Sequence, residues 1–100
     1  MVNALSYVKN NIVYVGKKGL ARYILAGLYK VFVEGHDEVV YSALGKNVSK
    51  AVAAAEALAR LLGFMYIKRV TISSVILSGE GRVRRVSRIE IAVKRMDSEP

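Results

Sequence analysis

The chain has 100 residues, of which 53% are hydrophobic, and it contains one proline and no cysteine. This length and composition predict a single folded domain, residues 1–100, and exclude extensive disorder, disulfides and thiolate metal sites. Sixteen basic residues against eight acidic ones leave a formal net charge of +8, which for so small a domain predicts a polyanionic partner or an anionic surface.

Four strands and two helices are predicted, in the order β-α-β-α-β-β. An apolar run at 12–15 predicts the first strand. A helix follows from Leu20 and is stopped by Gly35, and residues 37–44 form the second strand. The apolar stripe predicted for this first helix consists of Leu20, Ile24, Leu25, Leu28, Val31 and Phe32.

The second helix is predicted from an N-cap at Asn47 to an end at Gly63. Its predicted buried face consists of Val48, Val52, Ala55, Ala59 and Leu62. Both helices would begin at the same edge of one sheet, each next to a Gly-Lys pair.

Two longer strands complete the chain, and in both of them apolar residues alternate with polar ones. The apolar positions are Val70, Ile72 and Ile76 in the third strand and Ile89, Ile91 and Val93 in the fourth. Between the two strands, Gly79 and Gly81 are predicted to supply the flexible backbone of a hairpin tip.

Lysines stand at the start of both predicted helices, where acidic residues are normally favoured. Lys17 and Lys18 precede the first helix, and Lys46 and Lys50 flank the start of the second. Because helix N-termini with added cations bind anions, we interpret these lysines as phosphate contacts, with ordinary solvated lysines as the alternative. The Walker phosphate-loop pattern is absent, since no Ser or Thr follows the lysine pair.

Arginines crowd the predicted hairpin at positions Arg82, Arg84, Arg85 and Arg88, and only Glu80 opposes them. A narrow arginine-bearing ribbon can enter a DNA groove, and arginine favours the negative potential of the minor groove. The alternative is an exposed hairpin whose charges block edge-to-edge aggregation.

Patterns for catalysis and metal binding are missing. His36 is the only histidine and is expected in a loop, while Asp37 and Glu38, as neighbours on a strand, point to opposite faces. We therefore expect no enzyme, no metal and no cofactor. The six tyrosines are scattered, which favours core or interface packing over a stacking platform for single strands.

Three segments together resemble the archaeal Alba chromatin proteins, over about residues 11–95. They are Gly16-Lys17-Lys18, Gly45-Lys46 with Ser49-Lys50-Ala51, and the run RVSRIEI at 85–91. The resemblance implies a two-layer α+β fold like the C-terminal domain of a bacterial translation initiation factor, with a four-stranded mixed sheet and two helices on one face. It also implies a two-fold homodimer.

The resemblance further implies which residues act. In that family the paired lysines lie over the DNA backbone, the β3–β4 hairpins reach into the minor groove, and lysine acetylation, for which Lys17 is the matching position, weakens DNA binding. The predicted nucleic-acid-binding residues are Lys17, Lys18, Arg22, Lys46, Asn47, Lys50, Arg82, Arg84, Arg85 and Arg88. Candidates for contacts between dimers are Leu61, Leu62 and Phe64.

The sequence thus predicts a dimeric, sequence-independent protein that coats and compacts double-stranded DNA, is cytoplasmic and chromosome-associated, and has no membrane segment. An RNA-binding protein or ribonucleoprotein subunit of the same fold is the alternative, and a heterodimer with a paralogue is left open. Residues 1–10 and 96–100 are predicted to be flexible ends.

Overall fold

The computed structural model describes residues 10–96. Its elements are β1 (Ile12–Val15), α1 (Leu20–Phe32), β2 (Glu38–Leu44), a 3-10 turn (Gly45–Asn47), α2 (Val48–Leu61), β3 (Met65–Gly79) and β4 (Arg82–Arg95). The predicted order of elements and the α+β class are confirmed. The predicted flexible ends lie outside the described residues, apart from Asn10 and Met96.

The four strands form one mixed sheet in the order β1-β2-β4-β3. β1 and β2 are parallel, whereas β4 runs antiparallel to both of its neighbours, β2 and β3. Within residues 10–96, β3 pairs with β4 alone, so β3 is an edge strand. Because β1 and β2 are parallel, α1 and α2, which follow them, begin at the same end of the sheet.

The β3–β4 ribbon extends beyond the rest of the sheet. Leu44, the last residue of β2, pairs with Arg88, and the six β3–β4 pairs from Ser74–Ser87 to Gly79–Arg82 have no β2 neighbour. At about 3.4 Å per residue, these pairs extend about 20 Å from the body. We call residues 74–87 the arm.

A two-residue turn closes the arm. Glu80 and Gly81 both have positive φ, 52° and 74°, as a type I′ hairpin turn requires. Gly81 therefore has the predicted role, but Gly79 does not: it ends β3, and the second left-handed position falls on Glu80.

The core lies between the helices and one face of the sheet. Its fully buried side chains include Tyr41, Leu58, Ile91, Val39 and Val93. Tyr41 crosses the layer and donates a hydrogen bond from its hydroxyl to the carbonyl oxygen of Tyr23 in α1, at 2.8 Å. Burial raises the pKa of the Tyr41 hydroxyl, so this buried donor keeps its proton.

The buried face of α1 differs from the predicted stripe. Val31 is buried as predicted, and Ile24 and Leu28 pack against the core. Tyr23 and Gly27 are the other buried residues, whereas Leu20, Leu25 and Phe32 are exposed. Apolar residues occupy nearly every side of this helix, so their spacing alone does not define the side that meets the sheet. Gly27 defines it, because its missing side chain admits the Tyr41 hydroxyl.

The buried face of α2 is also rotated from the prediction. Ala55 and Leu62 are buried as predicted, and Val48, Val52 and Ala59 pack at the margin of the core. The other buried residues of the helix are Ala51, Ala54 and Leu58. Small alanine side chains let the helix approach the sheet closely, and the larger valines fit better at the margin. Asn47 does occupy the N-cap position, but its side chain makes no capping hydrogen bond.

The helices leave β3 uncovered. The strand is confirmed, but Val70, Ile72 and Ile76, which pair in register with Ile91, Ile89 and Arg85 of β4, are all more than half exposed. Register places these residues on the same face of the sheet as the helices. An apolar row on an edge strand therefore continues the core face without a covering layer.

Candidate nucleic-acid interface

The predicted cationic segments meet at one end of the sheet. The β1–α1 loop (residues 16–19), the 3-10 turn (residues 45–47) and the arm all lie at the end where β1 and β2 finish. We call these three segments the cationic end. Lys17, Lys18 and Lys46 are exposed there.

Two side chains hold the β1–α1 loop from its inner side. The Tyr23 hydroxyl accepts hydrogen bonds from the backbone N–H groups of Gly16 and Lys18, at 3.0 and 3.1 Å. The Lys50 Nζ donates to the carbonyl oxygens of the same two residues, at 2.7 and 2.6 Å, and lies 5.8 Å from the centre of the Tyr23 ring. We call Tyr23 and Lys50 the clasp. It joins the start of α2 to the loop before α1.

The clasp changes how an anion can be bound at this end. Two backbone N–H groups of the loop, those of Gly16 and Lys18, are already used by Tyr23. Two of the three donors of the Lys50 ammonium point at carbonyl oxygens. The side chains of Lys17 and Lys18 remain exposed and available to an anion at the β1–α1 loop.

The arm and the adjoining part of β4 carry different arginines on their two faces. Since side chains alternate along a strand, Arg82, Arg84 and Arg88 share the open face of the sheet, and Arg85 lies on the helix-side face opposite Ile76. Arg82, Arg84 and Arg85 are exposed, and Arg88 is half-buried. The arm thus presents cations on both of its faces.

A hollow of about 410 Å³ opens at the base of the arm on the open face. Arg88 and Asn47 line it together with the exposed Tyr14. The Arg88 Nε is buried without a hydrogen-bond partner among residues 10–96. Asn47 and Arg88, 41 positions apart in the chain, are therefore brought together as neighbours of one concave surface.

Acidic side chains gather at the opposite end of the molecule. Ion pairs join Glu34 to Lys30, Glu38 to Arg69, and Asp37 to Arg95. His36 lies in the same α1–β2 connection, 3.4 Å from Glu34. Among residues 10–96, no ion pair involves a lysine or arginine of the cationic end.

The remaining predicted contact residues are placed as follows. Arg22 is exposed on the first turn of α1. Leu61 is exposed, Phe64 is half-buried with its ring edge-on to Phe32, and Leu62 is buried in the core. Leu62 is thus a core residue, which leaves Leu61 and Phe64 as the surface candidates for contacts between dimers.

The tyrosines divide between core and surface. Tyr23 and Tyr41 are buried as predicted, whereas Tyr14, Tyr29 and Tyr66 are exposed, and Tyr7 lies outside the described residues. Tyr23 is the site residue that sequence reasoning missed. The available signal was its place on the first turn of α1, because helical side chains lean toward the N-terminus and so toward the loop.

Residues 10–96 lack two features, a metal-binding cluster and a membrane-spanning helix. Residues 10–96 contain no group of three or more His, Cys, Asp or Glu side chains that could hold a metal ion. None of the helices in these residues is both long and apolar enough to cross a membrane.

Comparison with known proteins gives a consistent result. The family model described as Alba matches residues 11–74. A protein named DNA/RNA-binding protein Alba from Methanococcus maripaludis is 38% identical over 82% of this chain and 94% of its own length. One of the same name from Methanocella arvoryzae is 39% identical over 87% and 92%. The solved structure of Alba from Thermoplasma volcanium matches with a TM-score of 0.76 and 32% identity, over 85% of this chain and 100% of that one.

Proposed function

The chain belongs to the Alba family, and from that premise we propose that it binds double-stranded DNA without sequence preference, coating and compacting it as a homodimer. The relatives described above carry the name DNA/RNA-binding protein, which supports a nucleic acid as the partner. The role needs no catalytic residue, since binding the sugar-phosphate backbone is a matter of charge and shape.

The observation that carries the proposal is a difference in ion pairing along the sheet: at the opposite end three cations are paired with carboxylates, whereas the cationic end has no ion pair among residues 10–96. The cationic end exposes Lys17, Lys18 and Lys46 at its body and Arg82, Arg84 and Arg85 on its arm. The carboxylates that form ion pairs lie at the other end. Because the cationic end is not neutralised by ion pairs within residues 10–96, its charge is available to a polyanion.

Each part of the cationic end suits a different part of a duplex. Lysines are flexible point charges that suit phosphates over the body of the protein. A two-stranded ribbon about 20 Å long suits a groove, where arginine is favoured by the narrow walls and their negative potential. α1 and α2 bury one face against the sheet and meet the cationic end only at their N-termini, so the proposed duplex contacts come from loop and arm side chains and not from a helix laid in a groove.

A second copy of this chain is the proposed cover for β3. The apolar row at Val70, Ile72 and Ile76 is exposed on an edge strand, and contiguous apolar surface of this kind marks an interface. A two-fold dimer would carry two arms and two sets of body lysines. Exposed Leu61 and half-buried Phe64 are the proposed contacts between dimers along DNA.

Lys17 is the proposed site of control by acetylation. Its ammonium is exposed, and it lies between the two loop residues held by the clasp. Acetylation would remove that charge from the phosphate contact while leaving the fold intact.

The first test is the salt dependence of duplex binding. If a dimer neutralises about 6–10 phosphates, affinity for a short duplex should fall about 10³- to 10⁵-fold between 50 and 200 mM salt. The measurement is fluorescence anisotropy with two duplexes of unrelated sequence, which should give the same curves. A flat salt response, or strong preference for one sequence, would contradict the proposal.

The second test reverses the charge of the loop. Lys17→Glu with Lys18→Glu should weaken duplex binding at least about tenfold, because two phosphate contacts become repulsive in each protomer. The matched control is Arg60→Glu with Lys68→Glu, which makes the same change in net charge at exposed residues of the opposite end. Equal losses in the two double variants would show that net charge alone matters and would remove the loop from the site.

RNA is the competing ligand, because the names of the relatives include it. Duplex DNA, duplex RNA and single-stranded RNA should be titrated side by side at one salt concentration. We expect duplex DNA to bind most tightly. Tighter binding of single-stranded RNA would replace the chromatin role by an RNA-binding one.

A further inference from the structure

Gly16 and Lys18, the residues on either side of Lys17 in the β1–α1 loop, each make hydrogen bonds through both the backbone N–H and the backbone carbonyl. Gly16 and Lys18 each donate their N–H to the Tyr23 hydroxyl and each offer their carbonyl to the Lys50 ammonium. Four hydrogen bonds thus fix a loop of four residues. Tyr23 is buried and Lys50 half-buried, while Lys17 and Lys18 are exposed.

The clasp is anchored in the core. Tyr23 accepts a hydrogen bond at its backbone carbonyl from the fully buried Tyr41 hydroxyl. The Lys50 ammonium also lies over the Tyr23 ring, so the two members of the clasp contact each other. The position of the loop is therefore determined by the packing of β2, α1 and α2.

We propose that Tyr23 and Lys50 are positioning residues, which hold the β1–α1 loop so that Lys17 and Lys18 project toward the phosphates, and that Lys50 does not itself contact the nucleic acid. The proposal rests on the proposed function and assigns new roles within that site. A loop that is already ordered loses less conformational freedom on binding, so its lysines contribute more of their interaction to affinity.

The test compares Tyr23→Phe and Lys50→Met with the wild-type full chain on one short duplex. Tyr23→Phe removes only the hydroxyl, and Lys50→Met keeps the length of the side chain without its donors or charge. Each should weaken binding by about three- to tenfold, because the loop must then be ordered on binding. Tyr66→Phe is the matched control, since it removes a hydroxyl at the opposite end of the sheet, and it should bind as the wild type does.

The salt slope separates positioning from contact. A lost phosphate contact lowers the slope of log affinity against log salt by about 0.9. Lys18→Ala should lower the slope in this way, whereas Tyr23→Phe and Lys50→Met should keep the wild-type slope. A slope lowered by Lys50→Met as much as by Lys18→Ala would make Lys50 a phosphate contact and overturn its assignment.

Coupling to the lysines gives an independent check. In a Lys17→Ala, Lys18→Ala background there is nothing left to position, so adding Tyr23→Phe should cause no further loss of affinity. The same loss in both backgrounds would show that Tyr23 acts through general stability. Unchanged affinity in Tyr23→Phe and Lys50→Met alone would also overturn the proposal.

Amide hydrogen exchange tests the clasp without any ligand. The N–H groups of Gly16 and Lys18 should exchange faster in Tyr23→Phe and in Lys50→Met, while amides of β2 keep their protection. Unchanged exchange at the loop would refute the clasp even if the wild type binds DNA as proposed. If the loop amides exchange faster in the two variants but the wild type binds no nucleic acid, the proposed function is refuted and the clasp remains as an element of loop structure.

Discussion

Gly27 is required by the side chain that it faces. Its φ is ordinary for a helix, but a Cβ at this position would collide with the Tyr41 hydroxyl and approach Leu58. The Tyr41 hydroxyl is in turn held by the Tyr23 carbonyl. One glycine therefore sets the distance between α1 and the sheet. It thereby also sets the position, relative to the sheet, of the loop that precedes α1.

We expect Gly27→Ala to destabilise the protein by about 1–3 kcal/mol, because overpacking outweighs the gain in helix propensity. Chemical denaturation monitored by circular dichroism measures this loss. In Tyr41→Phe, where the hydroxyl is absent, the same substitution should cost less than in the wild type. Equal costs in the two backgrounds would mean that the Tyr41 hydroxyl is not the group that excludes a side chain here.

At the scale of residues, the sequence predicts which side chains are exposed better than it predicts which groups they contact. Lys17 and Lys18 were predictable because their charges must meet solvent or an anion, and the structure leaves both exposed. Lys50 was predicted as a further phosphate contact, yet two of its donors turn inward to carbonyls. Tyr23 was missed for the same reason: its partners are backbone groups, whose approach depends on how the loop folds.

The arm depends on a turn with one unfavourable residue. Glu80 occupies a left-handed position at φ 52°, which costs a non-glycine residue about 1–2 kcal/mol. Asparagine tolerates this conformation and, followed by glycine, is the preferred sequence for a type I′ turn. The sequence around Gly81 thus specifies a hairpin but not the most stable one.

We expect Glu80→Asn to stabilise the arm by about 1 kcal/mol, which corresponds to about fivefold slower amide exchange along residues 74–87. Glu80→Gln is the matched control, since it removes the same charge without favouring the left-handed conformation. Both variants should bind duplex DNA slightly more tightly than the wild type, because an acid is lost from a cationic surface. Equal exchange in the two variants would show that backbone strain at Glu80 does not limit the arm.

At the scale of elements, type and order were predictable and orientation was not. Alternation identified β3 and β4, and glycine stops identified the ends of the helices. The predicted faces match the buried ones only in part, at Val31 of α1 and at Ala55 and Leu62 of α2, because apolar residues surround α1 and alanine fits both core and margin in α2. Val70, Ile72 and Ile76 of β3 share one face of the sheet, but the sequence pattern does not say which chain covers them.

At the scale of the whole molecule, the cationic end and the apolar row of β3 overlap only in the arm, at Ile76. The cationic end combines the two loop segments with the arm, the ion-paired carboxylates lie at the opposite end, and the apolar row of β3 lies along one edge. Clusters of like charge were visible in the sequence. The meeting of the two lysine segments at one edge of the sheet was also predicted, but the place of the arm beside them was not, because it follows from the antiparallel pairing of β4 with β2.

The edge row gives the last prediction. Ile72 is 71% exposed on the helix-side face of β3, and a lysine there would place a charge inside the proposed dimer interface. We expect the wild type to sediment as a dimer in analytical ultracentrifugation and Ile72→Lys as a folded monomer, because an unpaired buried charge is not tolerated in such an interface. Thr71→Lys is the matched control: Thr71 is the next residue of the same strand, faces the open side and pairs with Glu90, so this variant should remain a dimer.

Dimerisation and DNA binding are then linked through the salt slope. A monomer carries half of the cations of a dimer, so the salt slope of Ile72→Lys should be about half that of the wild type although its net charge is higher. A halved slope in a variant of higher net charge would show that the loss comes from the missing second cationic end and not from a loss of charge. A dimeric Ile72→Lys would move the interface away from the β3 row, and a monomeric wild type with a full salt slope would refute the dimer as the unit that binds DNA.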